Sequence, residues 1–179
     1  MKLNIEVEDK VLLCKEDFFK LIFSYEPYAF TRQVNHYYSF EGILSHDVIR
    51  IREKNNAYTF TFKRKTNSQL FEYEKELSSL SFDEESIKLL NEHGIKEPYK
   101  LIGSLETDRF SIIIDEVAEL SFDISYYNGI TDYEVEYECL SEHDHAVAFR
   151  NILAKADIEF VPNLVSKFAR FINSSTKKD

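Results

Sequence analysis

The sequence predicts an α+β domain, mainly β, whose strands curl into an antiparallel tunnel-like barrel with a polar lumen and flanking helices. Three observations predict it. Most of the chain alternates apolar and charged residues with a period of two, the mark of strands with one face in a core. On four of the strands the charged face carries one sign of charge, as in Arg50 and Arg52, Lys63 and Lys65, Glu72 to Glu76, and Asp132 to Glu138. Helical spacing of apolar residues occurs only over 15–25, 83–93 and the tail 143–173.

Composition bounds the reading. A chain of 179 residues suits a single domain over 1–179 with a sizeable core. The 15 Phe and 11 Tyr exclude global disorder, and only 4 Gly and 3 Pro exclude a collagen-like or low-complexity chain. The formal net charge of −10 argues against nucleic acid held by the overall field. No apolar run is long enough for a transmembrane helix, and MKLNIEVEDK has no apolar signal-peptide segment, so no membrane partner is expected. Cys14 and Cys139 lack CxxC spacing, which fits a reduced, cytoplasmic protein without a thiolate metal site.

The elements follow in order. Residues 3–13 read as a strand and 15–25 as a helix bearing Phe18, Phe19, Ile22 and Phe23, ended by Pro27. Residues 30–40 are rich in aromatic and β-branched side chains and read as a strand. Residues 48–54 and 58–65 form a predicted hairpin about Asn55-Asn56. After a turn at Asn67-Ser68, 70–77 is the next strand, and 83–93 is a helix capped by Gly94. Strands are predicted over 99–105, 109–117, 119–127 and 132–140, with Asn128-Gly129 turning between the last two. The tail is helical, broken by Pro162, and frays from 174.

Residues at i, i+2 and i+4 of a strand share a face. Glu6, Glu8 and Lys10 therefore form one row; so do Arg50 and Arg52, Lys63 and Lys65, Glu72, Glu74 and Glu76, and Asp132, Glu134, Glu136 and Glu138. A solvated sandwich face is the simplest account of such rows. It leaves the segregation of sign unexplained, because like charges side by side on a sheet repel. Faces that meet around a metal and a phosphate chain explain it. Carboxylates suit a hard divalent cation, and Arg and Lys suit phosphate.

These rows resemble, in order, the motifs of the CYTH family, the bacterial adenylate cyclase and thiamine triphosphatase group of the triphosphate tunnel metalloenzymes. Glu6-x-Glu8-x-Lys10 resembles its N-terminal signature. Residues 33–38 resemble its second strand, Arg50-Ile51-Arg52 its Arg-x-Arg strand, and Phe62-Lys63-Arg64-Lys65 its Leu-Lys-x-Lys strand. The segment ending in Arg109, the strand containing Asp123, and the acidic closing strand 132–138 follow. Ser166-Lys167-Phe168-Ala169-Arg170-Phe171 is similar to the C-terminal helix of a Gram-positive bacterial branch. One departure stands out: Phe40 is followed by Glu41-Gly42 and not by the aspartate-threonine pair common in the family, which is expected to alter a loop and not the chemistry.

The resemblance implies an eight-stranded antiparallel tunnel and a metal-dependent phosphohydrolase acting on a linear triphosphate, inorganic triphosphate first and thiamine or nucleoside triphosphate next. It implies Mg²⁺ or Mn²⁺ held among Glu6, Glu8, Asp123, Glu134, Glu136 and Glu138. Lys10, Arg50, Arg52, Lys63, Lys65 and Arg109 would bind the triphosphate, with Lys10, Arg52 and Glu136 nearest the chemistry. Glu72, Glu74 and Glu76 are expected to pair with the cationic rows. Adenylate cyclase and a non-enzymatic triphosphate, polyphosphate or nucleotide-binding module are the alternatives, and a homodimer is compatible with all of them.

Overall fold

A computed structural model describes residues 7–25, 29–65 and 70–175. Eight strands and four helices follow in the order β1 (Glu8–Leu13), α1 (Lys15–Ile22), β2 (Ala29–Glu41), β3 (Val48–Lys54), β4 (Ala57–Lys65), β5 (Leu70–Leu77), α2 (Glu84–Glu92), β6 (Lys96–Ile114), β7 (Ala118–Tyr127), β8 (Ile130–Cys139), α3 (His145–Ala154) and α4 (Lys167–Ser175). The sheet order is β1-β8-β7-β6-β2-β3-β4-β5. β1/β8, β7/β8, β2/β3, β3/β4 and β4/β5 pair antiparallel. This is the mainly β, antiparallel class that the sequence predicts. The chain divides into two compact units.

The first unit contains Gln33–Glu106. Its hairpin turns through Asn55 and Asn56 at φ 54° and 60°, left-handed values that Asn tolerates and a two-residue turn requires. The register sets Ile49 opposite Phe62 and Ile51 opposite Phe60. Together with Tyr38 and Phe40 they bury one sheet face under Leu90 of α2 and Ile95. Asp83 caps α2 by accepting from the Ser86 amide, and Lys75 reaches Asp83 at 2.7 Å. At the other end the Ile95 amide bonds the Leu90 carbonyl and the Gly94 amide that of Asn91, so Gly94, at φ 78°, closes the helix as predicted. The fully buried Asp47 holds Arg64 bidentately at 2.8 and 2.6 Å, and Arg64 also donates to the His93 carbonyl. Opposed charges and the hydrogen bonds from Arg64 and Leu44 hold Asp47 below the ordinary carboxylate range in spite of its burial.

The second unit contains 7–32 and 107–175 of the described residues. Val11, Leu120, Phe122, Val135 and Tyr137 line one sheet face, covered by Phe18 and Leu21 of α1 and Phe149 and Leu153 of α3. Asn128-Gly129, at φ 49° and 80°, makes the predicted turn between β7 and β8.

Beyond shifts of one to three residues at strand and helix ends, three differences from expectation stand out. β6 is one strand of 19 residues, where a break at 106–108 was expected between two strands. Those polar residues have partners: Thr107 reaches Ser125 at 3.1 Å, and Asp108 accepts two bonds from Arg32. A strand can carry such residues without ending. The turn comes instead at Asp115 and Glu116, φ 48° and 60°. α1 stops at Ile22 rather than Tyr25. The tail forms two helices separated by all of 155–166, a wider gap than Pro162 alone would open. Asn163 explains part of it, since its amide bonds the Lys10 carbonyl at 2.8 Å rather than a helix carbonyl. The predictions at 3–6, Pro27, Asn67-Ser68 and 176–179 lie outside the described residues.

A Cβ on Gly42 would stand 2.3 Å from the Gly94 carbonyl oxygen, on a backbone at φ 79°. Gly129 has a similar φ of 80° and open space. Gly42→Ala is therefore expected to destabilise by more than ~2 kcal/mol and Gly129→Ala by only ~1 kcal/mol, since the left-handed term is common to both. Urea midpoints of the two variants check this; equal costs would mean that the close approach at Gly42 carries no weight.

Candidate functional site: two sign-segregated polar faces

In each unit the sheet has an apolar face in the core and a polar face opposite. In the first unit the register pairs Asn35 with Arg52, Tyr37 with Arg50, Arg50 with Thr61, Thr61 with Glu74, and Lys63 with Glu72. Directly paired residues share a face. This face is not simply wet: Asn35 is 2% exposed and Thr61 0%. Arg52 donates to the Asn35 side-chain oxygen at 3.2 Å. Lys63 reaches Glu72 at 2.7 Å, and Glu74 accepts from Thr61 at 3.0 Å with Arg50 3.9 Å away. Glu72 thus pairs with Lys63 as expected, while Glu74 approaches Arg50 from an exposed position and Glu76 is exposed. Arg50 Nε is buried and bonded to no described atom. Lys65 lies at the exposed end of β4.

In the second unit the register runs across three strands. Glu8, Glu138 and Glu119 form one row, Lys10, Glu136 and Ser121 the next, and Leu12, Glu134 and Asp123 the third. The first row sets three carboxylates side by side, which repel unless a cation joins them. Lys10 meets part of this need, donating to Glu8 at 2.6 Å. Glu6 lies outside the described residues.

Asp123, Glu134 and Glu136 each offer an oxygen within 4.8 Å of the others. Asp123 is 0% exposed and Glu134 1%, so their charges must be matched inside the protein. Arg109 grips Asp123 bidentately at 2.7 and 2.6 Å and also bonds Glu136. Lys167 on α4 reaches Asp123 at 2.9 Å and bonds both Glu134 and Glu136. Arg170, one turn further, donates to Glu134 at 2.9 Å and Asp132 at 2.8 Å, and Asn163 donates to Glu134 at 2.6 Å. Burial would raise the Glu136 carboxyl, but Lys167 and Arg109 outweigh it and hold the group well below the ordinary glutamate range. Burial would likewise lower Lys167, and the three carboxylates around it hold it above the usual lysine range.

The structure thus brings Glu8, Lys10, Arg109, Asp123, Glu134, Glu136 and Glu138 onto one polar face of the second unit, and Arg50, Arg52, Lys63 and Lys65 onto that of the first. Arg109, expected to bind phosphate, is engaged with Asp123 and Glu136. Sequence reasoning gave no role to Lys167, Arg170, Asn163 or Glu119. The signal for the first two was present. A Lys and an Arg three apart share a helix face, with Phe171 beside them as an apolar anchor that is 1% exposed.

The CYTH domain family model matches residues 4–172, and the chain belongs to that family. It is 30% identical over 171 residues to a candidate triphosphatase, YjbK, of Bacillus subtilis (strain 168), with 88% of this chain and 90% of that protein covered. Among solved structures it is similar to a candidate adenylate cyclase of Bacillus halodurans at 33% identity and a TM-score of 0.76, covering 94% of this chain and 97% of that one. The fold also matches that of a Hippeastrum protein with a dominant triphosphatase activity, with a TM-score of 0.79 at 19% identity over 94% and 96% of the two chains.

Two outcomes test this electrostatic account. Arg109→Ala leaves the buried Asp123 with Lys167 as its one remaining cation among the described residues and should cost ~3 kcal/mol or more of stability, whereas Lys65→Ala, at an exposed position, should stay within ~0.5 kcal/mol. Equal effects in denaturant titrations would refute the network. Burial, and then the hydrogen bond to Asp132, pushes Tyr127 up to about 12 from its usual 10. The folded state holds that proton more tightly than the unfolded one. Stability from this group is whole below pH 10 and is lost as pH rises toward about 12. Tyr127→Phe should flatten that stretch of a plot of urea midpoint against pH.

Proposed function

We propose that the chain is a divalent-metal-dependent triphosphatase acting on a linear triphosphate, with inorganic triphosphate first and thiamine or nucleoside triphosphate next. The observation that carries this reading is the pair of charged polar faces: a row of Arg50, Arg52 and Lys63 in one unit, partly matched by Glu72 and Glu74, and an excess of carboxylates in the other, partly matched by Lys10, Arg109 and Lys167. The triphosphatase name of the Bacillus subtilis relative supports it.

In this reading Glu6, Glu8 and Glu138, with the neighbouring carboxylates Asp123, Glu134 and Glu136, are the candidate metal ligands. Oxygen-only donors suit Mg²⁺ or Mn²⁺. The ion, when bound, supplies charge that offsets the charge building up on the phosphoryl oxygens. Arg50, Arg52, Lys63, Lys65, Lys10 and Arg109 are the phosphate-binding candidates. Guanidinium groups suit the task because their forked donors take phosphate oxygens in pairs. Asn35 fixes the Arg52 guanidinium by accepting from Nε, and Arg50 Nε has no acceptor among the described residues. Glu136 is held ionised by Lys167 and Arg109, the state required of a carboxylate that orients a water for in-line attack on the terminal phosphorus.

The polar faces support this substrate order. On β2–β5, β7 and β8 the aromatic residues of the polar faces are Tyr37 and Tyr127, 2% and 6% exposed. Neither presents a ring on which a base or thiazole could stack. A second reading, adenylate cyclase, is favoured by the name of the Bacillus halodurans relative. It requires a base-and-sugar pocket. A cytoplasmic location and no nucleic-acid partner accompany the proposal, in keeping with two free cysteines and a net charge of −10.

Phosphate release from a panel of triphosphates decides among these. Turnover of inorganic triphosphate with Mg²⁺ or Mn²⁺, abolished by EDTA, is expected. Formation of cyclic AMP from ATP would favour the second reading, and no turnover of any member would defeat both. Arg52→Ala should lose at least ~2 kcal/mol of transition-state stabilisation, about thirtyfold in kcat/KM, with metal affinity kept. Glu8→Ala should lose metal affinity first, as read by calorimetry. Identical metal titrations for the two variants would show that the two roles have been wrongly divided.

A further inference from the structure

Lys167 sits where a divalent cation would be expected. Its ammonium has three N–H donors and faces three carboxylates, Asp123, Glu134 and Glu136, within hydrogen-bond reach of each. Those are the same three residues whose oxygens lie close enough together to share an ion. The match is one donor to one acceptor. The other oxygens are also taken. Arg109 bonds both oxygens of Asp123 and the second of Glu136, while Arg170 and Asn163 bond the second of Glu134. All six carboxylate oxygens therefore have a donor from the chain itself.

The lysine is also held in place from both sides. Asn163, just ahead of α4, bonds the Lys10 carbonyl through its amide and Glu134 through its side chain, and accepts from the Val165 amide. Beyond it, Arg170 bonds Asp132 and Glu134, Phe171 is buried near the Tyr127 ring, and Asn128 donates to the Phe171 carbonyl. To admit a metal here, the Lys167 ammonium would have to leave the cluster against the contacts that hold α4 in place.

We infer that Lys167 is the resident cation of the Asp123–Glu134–Glu136 cluster, filling the place of a divalent ion and leaving metal binding to the adjacent row of Glu8 and Glu138. The inference rests on the reading of the chain as a metal-dependent protein, and it narrows the candidate ligands. Three of them, Asp123, Glu134 and Glu136, become a cage for α4. Glu136 is then a carboxylate positioned beside the metal row and not a ligand within it.

The test is a gain of metal. Lys167→Met keeps much of the side-chain volume and removes the ammonium. Mn²⁺ titration followed by electron paramagnetic resonance should show one more bound ion per chain in Lys167→Met than in the unaltered protein. Mn²⁺ should also recover the thermal midpoint that the variant loses, and by more than it raises that of the unaltered protein. Equal stoichiometry in the two proteins would overturn the inference. If the variant does not fold, amide hydrogen exchange of the unaltered protein decides. Protection of α4 should be the same with and without saturating Mn²⁺, and faster exchange over Lys167–Ser175 on adding Mn²⁺ would show that the ion expels the lysine. Neither readout uses phosphate release. A protein that shows these metal results yet turns over no triphosphate would defeat the proposed function and leave this inference standing, and the reverse result would separate them the other way.

Discussion

The cost of burying carboxylates governs this protein. Asp123 and Glu134 are removed from water almost completely, and an isolated buried charge at either position would be expensive enough to unfold a domain of ordinary stability. Arg109, Lys167 and Arg170 meet that cost. Two consequences follow. α4 docks through charge as much as through its one buried aromatic, Phe171. And β6, unbroken past Glu106-Thr107-Asp108, carries Arg109 to Asp123. The network is thus a structural commitment first, and its usefulness to a site depends on that commitment being kept.

The first unit solves the converse problem. Its polar face gathers cations, and the carboxylates that match them come from β5: Glu72 for Lys63 and Glu74 for Arg50. Such pairs settle side-chain positions before any ligand arrives, so less rotamer freedom remains to be lost on binding. They also impose competition. An anion that engages Lys63 must outbid Glu72.

The sequence made the strands and their faces legible because period-two alternation is a local property. Val48–Lys54 was foreseen with the bounds observed, and the Asn55-Asn56 and Asn128-Gly129 turns stand where their left-handed residues put them. What it concealed was pairing over long distance. Nothing local tells that Asp108 will meet Arg32, 76 positions away, or that Lys167 will meet Asp123 and Glu134. Both partners of each pair were visible as charged residues. Their meeting depends on register and on where α4 lands, and these are tertiary facts. The same limit hid the partner of Arg109: the carboxylate that it grips bidentately, Asp123, sits on the next strand of the sheet order.

This pre-pairing bears on which ligands such faces discriminate. Lys63, and more weakly Arg50, already enjoys part of the energy that a phosphate oxygen would give it, so a single phosphate would gain only the difference between phosphate and glutamate at those positions. That difference is small for an exposed pair and larger for a buried one. A triphosphate meets several cations with one loss of translational freedom, and the differences then add against a cost that is incurred once. If the proposed function holds, selectivity for chain length would need no contact with the end of the ligand; it would arise from the number of cations in the row and from the glutamates paired with them. Arg50, with a buried Nε lacking any acceptor among the described residues, is the member of the row for which the exchange is most favourable, because there a donor is satisfied that no internal partner now satisfies.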